Sequence, residues 1–195
     1  SEAVSLNYSL PDHDIKMTFL PTDFTQVNFE LNQKMINLAL ELLDLNKEDE
    51  VIDLFCGLGN FTLPISRYVK SVVGIEGDSG LVERAKQNAS QNGISNTSFY
   101  KANLFEDVSG FEWFRGRNYN KALIDPARTG AIEIVELLPK LNVERLVYVS
   151  CNPATLARDT ARLIDLGFSL ESAGVMDMFP QTAHVESIAL FVRKN

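Results

Sequence analysis

The residue best suited to covalent chemistry in this sequence is Cys151, in the stretch Ser150-Cys151-Asn152-Pro153. The stretch lies between an apolar run and a helical pattern, so it is predicted to follow a strand of a parallel sheet. Such sheets bind ligands at the carboxyl ends of their strands. The positive end of the following helix should lower the pKa of the thiol and favour the nucleophilic thiolate. For this residue alone, a buried and inert cysteine is an equally good interpretation. Cys56 lies inside a glycine turn, where packing is the favoured role.

Two carboxylates are candidates for proton transfer or binding beside that thiol. Asp125 closes an apolar run, and the ring of Pro126 restricts the turn that aims its carboxylate. Arg128 can pair with Asp125 or meet a substrate phosphate. Glu186 begins the last apolar run, and a glutamate near an apolar site can have a raised pKa suited to proton transfer. The alternatives are a helix-capping role for Asp125 and an exposed strand-edge position for Glu186.

A second group of residues is typical of a nucleotide-binding turn. The segment 53–61, DLFCGLGNF, follows an apolar run, and its glycines Gly57 and Gly59 let the backbone turn tightly and approach a ligand. A nicotinamide fingerprint requires a third glycine where Thr62 stands, which disfavours that cofactor. Glu76 ends the next run and can accept hydrogen bonds from both hydroxyls of a ribose. Together these residues indicate S-adenosylmethionine; the alternative is a glycine turn and a solvated glutamate without a ligand.

The elements that must position these residues alternate between strands and helices. Short apolar runs predict strands at 51–55, 71–75, 97–100, 121–124 and 146–149. Helical spacing predicts helices at 28–45, 61–68, 79–92, 131–138 and 153–166. Two strand-like segments without a helix between them follow, at 168–178 and 185–192. Five strand–helix units and a closing antiparallel pair predict an α/β fold with a Rossmann-like, seven-stranded sheet.

The first 20 residues have a different pattern. Residues 4–10 and 15–19 alternate in polarity around a turn-rich tetrad, which predicts a β-hairpin. An isolated hairpin is marginally stable, so this one must pack on something. We therefore expect residues 1–20 to be the remnant of a preceding domain and residues 21–195 to form the main domain.

Composition excludes several classes of protein. The chain has 195 residues, 45% of them apolar, and a net charge of −8, which argues against a protein that coats nucleic acid over its whole surface. The cations expected to face phosphate, if any do, are Arg115, Arg117, Lys121, Arg158 and Arg162. Two cysteines cannot form a disulfide framework, a four-cysteine zinc site or a self-contained iron–sulfur site, and His13 and His184 lack ligand spacing. No stretch approaches the ~18 apolar residues of a membrane span, and the start lacks signal-peptide features. We expect a cytoplasmic piece of a longer protein.

Together the segments closely resemble the methyltransferase domain of the RNA uracil-5-methyltransferases. The resemblance runs from about Phe19 to Arg193 and is carried by segments 24–28, 53–61, 125–128, 148–159 and 177–186. The combination of Ser-Cys-Asn-Pro with a downstream His-x-Glu is highly specific to that family. Segments 125–131 and 177–180 look most like the branch that methylates a uridine of 23S ribosomal RNA.

The resemblance implies a mechanism. Cys151 would add to C6 of the uracil, C5 would accept a methyl group from S-adenosylmethionine, and Glu186 would remove the C5 proton. The target base must leave its stack to be reached. The implied donor-site positions are Gln26, Phe55, Asn60, Glu76, Asn103 and Asp125. At the position of Asn103, relatives often carry aspartate. Gln26 and Asp125 are also implied to lie near the target base.

Full-length relatives carry an N-terminal RNA-binding TRAM domain and a central domain with a cysteine-ligated iron–sulfur cluster, and neither fits in this chain. The opening hairpin resembles a remnant of that central domain. We expect a monomer that acts on 23S ribosomal RNA, with no DNA or membrane partner and no metal in this chain. The alternatives are an inactive donor- or RNA-binding module, a uracil-5-methyltransferase of tRNA, and a small-molecule methyltransferase, which would have no use for Cys151.

Overall fold

The computed structural model describes residues 4–23, 28–177 and 185–194. An N-terminal hairpin consists of strands β1 (Leu6–Leu10) and β2 (Ile15–Phe19). The main sheet consists of β3 (Glu50–Leu54), β4 (Ser71–Glu76), β5 (Thr97–Lys101), β6 (Lys121–Ile124), β7 (Arg145–Ser150), β8 (Phe168–Asp177) and β9 (Val185–Arg193). The helices are α1 (Phe29–Leu43), α2 (Thr62–Ser66), α3 (Ser79–Gln91), α4 (Ile132–Val135) and α5 (Pro153–Asp165).

The main sheet has the strand order β5-β4-β3-β6-β7-β9-β8. The first five strands in this order are parallel, and β9 is antiparallel to both of its neighbours. The carboxyl ends of β3, β4, β6 and β7 therefore share one edge of the sheet. Since β9 runs the other way, its first residues reach the same edge, where Ser187 pairs with Ser150. The predicted Rossmann-like, seven-stranded α/β fold is confirmed.

Within residues 28–177, only four of the five strand–helix units are present, because no helix follows β5, where the spacing of the residues predicted none. Residues 102–120 instead form a series of turns before β6 begins. Trp113 and Tyr119 anchor these turns in the core, and the Tyr119 hydroxyl donates to the Trp113 carbonyl at 2.7 Å. The helix predicted at 131–138 is also shorter than expected. It divides into α4 and a separate 3-10 turn at Leu138–Leu141, whose Pro139 lacks the N–H that would continue an α-helix.

The hairpin packs against the main domain, as its marginal stability requires. Leu10, Ile15 and Met17 are buried in the same apolar core as residues of α1 and β3. The Asn88 side chain on α3 pairs with β2, since it accepts from the Thr18 N–H at 2.9 Å and donates to the Thr18 carbonyl at 3.1 Å. Since the hairpin shares the core of the main domain, its assignment to a separate preceding domain that ends at residue 20 stays a prediction.

Gly74 shows how closely β4 approaches its neighbours. A Cβ atom on Gly74 would lie 2.7 Å from Phe99 Cδ1 and 2.9 Å from Cys56 Sγ, both in the interior. We expect Gly74→Ala to lower the free energy of unfolding by about 1–3 kcal/mol, the usual cost of overpacking a core. Urea denaturation measures this difference. Gly110→Ala is the matched control, because a Cβ there meets nothing within 4 Å; equal stability losses in the two variants would contradict the expectation.

Candidate active site

A cavity of about 480 Å³ opens at the carboxyl edge of the parallel strands. Its volume is within the range of small-molecule sites. Eight of the residues predicted from the sequence line it: Phe55, Gly57, Asn60, Glu76, Asp125, Arg128, Cys151 and Glu186. The fold thus brings the nucleotide-type turn and the candidate catalytic groups to a single site.

The turn after β3 is built from residues with positive φ. Phe55 has a φ of 65°, which is strained for a side chain of this size, while Gly57 and Gly59 have φ values of 56° and 97°. A Cβ on Gly57 would meet nothing within 4 Å, so the backbone there is open to a ligand. A Cβ on Gly59 would lie 3.2 Å from Leu63 Cγ, so this glycine serves packing against α2.

Glu76 connects the end of β4 to this turn. One carboxylate oxygen accepts the Gly57 N–H at 3.0 Å and the other accepts the Asp78 N–H at 3.0 Å. The side chain is half-buried and lines the cavity. Because each carboxylate oxygen can accept more than one hydrogen bond, both remain able to receive the hydroxyls of a ribose.

Asp53 lies buried beneath the turn, and the sequence reasoning did not single it out as a site residue. The Thr62 hydroxyl donates to its Oδ2 at 2.5 Å, whereas Oδ1 has no hydrogen-bond partner among the residues described. Burial raises the pKa of Asp53 to about 7, and the charge of Glu76 adds to this effect. Asp53 therefore keeps its proton at pH values where an exposed aspartate has lost it.

This raised pKa predicts a pH dependence of stability. Below pH ~4 both the folded and the unfolded chain hold the proton, so Asp53 contributes no pH dependence there. Between pH ~4 and ~7 only the unfolded chain loses it, so the Asp53 contribution to stability falls as pH rises. We expect Asp53→Asn to remove about 2–4 kcal/mol of this fall, at 1.36 kcal/mol for each pKa unit.

Urea denaturation at pH 4.5 and pH 7.5 measures the effect as the difference between wild type and variant. Glu83→Gln, at an exposed position on α3, is the matched control and should keep the wild-type pH dependence. If Asp53→Asn also kept it, the interpretation of Asp53 as a protonated buried carboxyl would be wrong.

Cys151 lies directly after β7 and before the helix-capping Asn152. The Asn152 side chain accepts the Ala154 N–H at 3.0 Å and so begins α5. Glu186 is one residue before Ser187, the partner of Ser150 at the end of β7. The antiparallel register therefore places Glu186 near Cys151, and both are half-buried in the cavity wall.

Burial, and after it the neighbouring carboxylates, shift the protonation of this group of side chains. Burial raises the pKa of Glu186, which confirms the expectation for that residue. Burial raises the pKa of Asp125 well above its usual range, and the charges of Glu186 and Asp53 add to this. The expectation that the helix lowers the pKa of Cys151 is wrong, because burial and the charges of Glu186 and Asp125 raise it. The thiol therefore needs a base before it can react.

The loop that carries Asp125 and Arg128 is fastened to α5. The Arg128 carbonyl accepts hydrogen bonds from the Asn152 amide at 2.9 Å and from the Thr155 hydroxyl at 3.1 Å. Buried Asp159 accepts the Ala131 N–H at 2.8 Å. The sequence reasoning missed this clamp, although its polar residues recur at helical spacing after the cysteine. The clamp holds the loop beside Cys151.

Arg128 extends an exposed side chain at the edge of the cavity. No ion pair within 4 Å joins Arg128 to Asp125. Of the two roles considered for Arg128, pairing with Asp125 is therefore wrong. Three other cations expected to face phosphate have protein partners: Lys121 binds Asp49, Arg158 binds Asp159 and Arg162 binds Glu136. Arg115 and Arg117 are exposed.

Two predicted donor-site residues remain, Asn103 and Gln26. Asn103 is exposed after β5, where its side chain donates to Glu106 Oε1 at 2.9 Å and accepts the Phe105 N–H at 3.1 Å. Gln26 and His184 lie outside the described residues. The wall also contains Tyr8, from the hairpin, which the sequence reasoning did not identify.

The described part of the chain has neither a metal-binding cluster nor a membrane-spanning helix. No group of three or more His, Cys, Asp or Glu side chains there is arranged to hold a metal ion. No helix within those ranges is long and apolar enough to cross a membrane. The iron–sulfur cluster expected in a preceding domain stays a prediction.

Comparison with known proteins identifies the family. A family model described as tRNA (uracil-5-)-methyltransferase matches residues 1–194. The chain belongs to this family. A curated relative in the family, 23S rRNA (uracil(1939)-C(5))-methyltransferase RlmD of Vesicomyosocius okutanii, is 72% identical over 193 residues, which cover 99% of this chain and 44% of the relative. The protein of the same name from Xanthomonas oryzae is 55% identical over 194 residues, again covering 99% and 44%. The chain thus spans less than half the length of these relatives.

Solved structures agree with this family assignment. The Pyrococcus abyssi tRNA (uracil-54, C5)-methyltransferase, in complex with S-adenosyl-L-homocysteine, superposes with a TM-score of 0.81 at 26% identity, over 96% of this chain and 44% of that one. TYW2 of M. jannaschii, in complex with AdoMet, has a TM-score of 0.68 at 18% identity, over 100% of this chain and 89% of that one. This second likeness concerns the fold alone. The resemblance inferred from the sequence motifs is confirmed at the level of the family.

Proposed function

We propose that this chain is the methyl-transferring part of an RNA uracil-5-methyltransferase that modifies a uridine of 23S ribosomal RNA. The observation that carries the proposal is the shared cavity, in which the Gly57 turn and Glu76 meet Cys151, Asp125 and Glu186. A methyltransferase of small molecules would need the Gly57 turn and Glu76 to bind the donor but would have no use for Cys151. The names and identities of the RlmD relatives support ribosomal RNA as the substrate class.

The residues present fit S-adenosylmethionine. Glu76 offers a ribose-binding carboxylate, the backbone at Gly57 is open, and Phe55, Asn60 and Asp125 complete the wall. When bound, the donor supplies a methyl group on a positively charged sulfur, and an acidic cavity suits that charge. Gln26 and Asn103 stay proposed donor contacts.

Cys151 makes the uracil reactive. Its proton passes to a neighbouring carboxylate, for which Asp125 is the candidate, because its charge reaches the thiol and Glu186 must stay unprotonated for the later step at C5. The Sγ electron pair then forms a bond to C6, and the electrons of the C5–C6 double bond make C5 nucleophilic. C5 can now accept the methyl group.

Glu186 completes the reaction. It takes the remaining proton from C5, and the electrons of that C–H bond restore the C5–C6 double bond. The bond between Sγ and C6 breaks, and Cys151 leaves as a thiolate. The raised pKa of Glu186 suits this step, because a carboxylate that holds protons more tightly is a stronger base.

Arg128 is proposed to bind a phosphate of the target nucleotide, because its exposed side chain lies beside the acceptor groups. With a net charge of −8, this chain alone should bind RNA weakly. We further propose a cytoplasmic monomer that acts on RNA and not on DNA.

A methyl-transfer assay tests the proposal. The protein at its natural length is incubated with tritiated S-adenosylmethionine and with unmodified 23S ribosomal RNA or unmodified tRNA. We expect label in 23S ribosomal RNA, as 5-methyluridine by mass spectrometry of the digested RNA. Label in tRNA alone would favour the tRNA alternative and overturn the ribosomal assignment. Donor binding without transfer to either RNA would favour an inactive module.

A further inference from the structure

Tyr8 brings the N-terminal hairpin into the wall of the cavity. Its side chain is held from two sides: the Phe29 ring stacks on it at a centroid distance of 5.2 Å, and the Phe19 ring lies at 5.8 Å. Only 8% of the residue is exposed. Its hydroxyl donates a hydrogen bond of 2.8 Å to Oδ1 of Asn60, in the turn between β3 and α2. A residue outside the predicted methyltransferase domain thus contacts a predicted donor-site residue.

The Asn60 amide is fixed from a second direction by Asn32, a residue of α1 that is 1% exposed. Asn32 Nδ2 donates to Asn60 Oδ1 at 3.0 Å, and Asn60 Nδ2 donates to Asn32 Oδ1 at 2.8 Å. Both acceptor positions of Asn60 Oδ1 are therefore occupied, by Tyr8 and by Asn32. One N–H of Asn60 is also used. Among the described residues, the second N–H has no partner, so Asn60 offers the cavity a donor and not an acceptor.

The chemistry of a methyl sulfonium donor indicates what this N–H meets. The sulfur carries three substituents: the methyl group, the nucleoside and an amino-acid chain that ends in a carboxylate. Glu76 suits the nucleoside, and the methyl group must face Cys151 and Glu186. Arg128 is assigned above to a phosphate of the target nucleotide, and among the described residues of the cavity wall Asn60 is the other one with a side-chain N–H. A carboxylate accepts hydrogen bonds and matches the free N–H.

We propose that Tyr8 is a positioning residue that, with Asn32, holds Asn60 so that its N–H binds the carboxylate of the methyl donor. The inference rests on the proposed function, since it requires that the cavity bind such a donor. It also makes the hairpin a working part of the donor site, so a domain boundary at residue 20 would divide that site.

Calorimetry with two ligands tests the inference without any need for RNA or turnover. S-adenosylhomocysteine has the amino-acid chain, and 5′-methylthioadenosine has the same nucleoside and sulfur without it. We expect Tyr8→Phe to weaken binding of S-adenosylhomocysteine by roughly 5- to 10-fold, as for one lost or misdirected hydrogen bond, and to leave binding of 5′-methylthioadenosine within about twofold. Asn60→Asp replaces the donor by an acceptor, and we expect it to weaken S-adenosylhomocysteine by more than about 10-fold, again with little effect on the other ligand.

Tyr68→Phe is the matched control. The Tyr68 hydroxyl lies 2.8 Å from Nδ1 of His13, so this variant also removes one hydrogen bond to the hairpin, but at a site outside the cavity wall. It should bind both ligands as the wild type does. Equal weakening of both ligands by Tyr8→Phe would mean general loosening of the hairpin, and unchanged binding of both would mean no positioning role; either result overturns the inference. If the wild type bound neither ligand, the proposed function itself would fail.

Discussion

Cys151→Ala is expected to abolish methyl transfer to RNA, with a loss of roughly 10⁴- to 10⁶-fold, the range typical of a removed nucleophile. Without addition of sulfur to C6, C5 of the uracil stays a poor nucleophile. Cys56 cannot replace Cys151, because it is buried and its pKa is raised well above the usual range by burial and by the charges of Asp53 and Glu76. Binding of the donor should persist, since the residues of the Gly57 turn are unchanged.

RNA that contains 5-fluorouridine measures the covalent step directly. Fluorine cannot leave C5 as a proton does, so the wild-type protein should remain attached to the RNA and migrate as a complex in a denaturing gel. Cys151→Ala should form no complex. Cys56→Ala is the matched control and should still form it. A complex that survives in Cys151→Ala would refute the assigned nucleophile.

Glu186→Gln is expected to lower turnover by roughly 10²- to 10⁴-fold, as for the loss of a general base, while the covalent complex accumulates on ordinary uridine RNA. Glutamine has nearly the shape of glutamate but cannot take the C5 proton, so Cys151 cannot be released. Addition of the thiol should not be slower for electrostatic reasons, because the charge of Glu186 raises the pKa of Cys151 and the substitution removes that charge.

The measurement pairs a turnover assay with a denaturing gel on RNA that contains no fluorine. Glu171→Gln, at an exposed position on β8, is the control and should turn over like the wild type. Wild-type turnover by Glu186→Gln would show that another group removes the proton. Loss of turnover without an accumulated complex would place Glu186 before the covalent step, for example as the base that activates Cys151.

Much of the fold follows from local patterns. The strand at 121–124 was predicted with its observed bounds, and the strand before Cys151 differs by one residue at each end. The hydrophobic period of a helix or strand, and the residues that begin or end it, depend on neighbours in the chain. Asn152 and Pro153 at the start of α5 are an example. The segment after β5 could not be predicted in this way. Its turns are held by buried aromatic contacts with the core, and such contacts leave no period in the sequence.

The sequence by itself determined the strand–helix alternation, the glycine turn and the motif that marks the family, since each depends on residues close together in the chain. Parallel strands also carry their following loops to one edge, so convergence of Glu76, Asp125 and Cys151 could be expected. Only the tertiary structure decided that Tyr8 reaches Asn60 across 52 positions and that α5 clamps the Asp125 loop. It also decided the direction of the Cys151 pKa, because burial and the charges of Glu186 and Asp125 depend on packing in space.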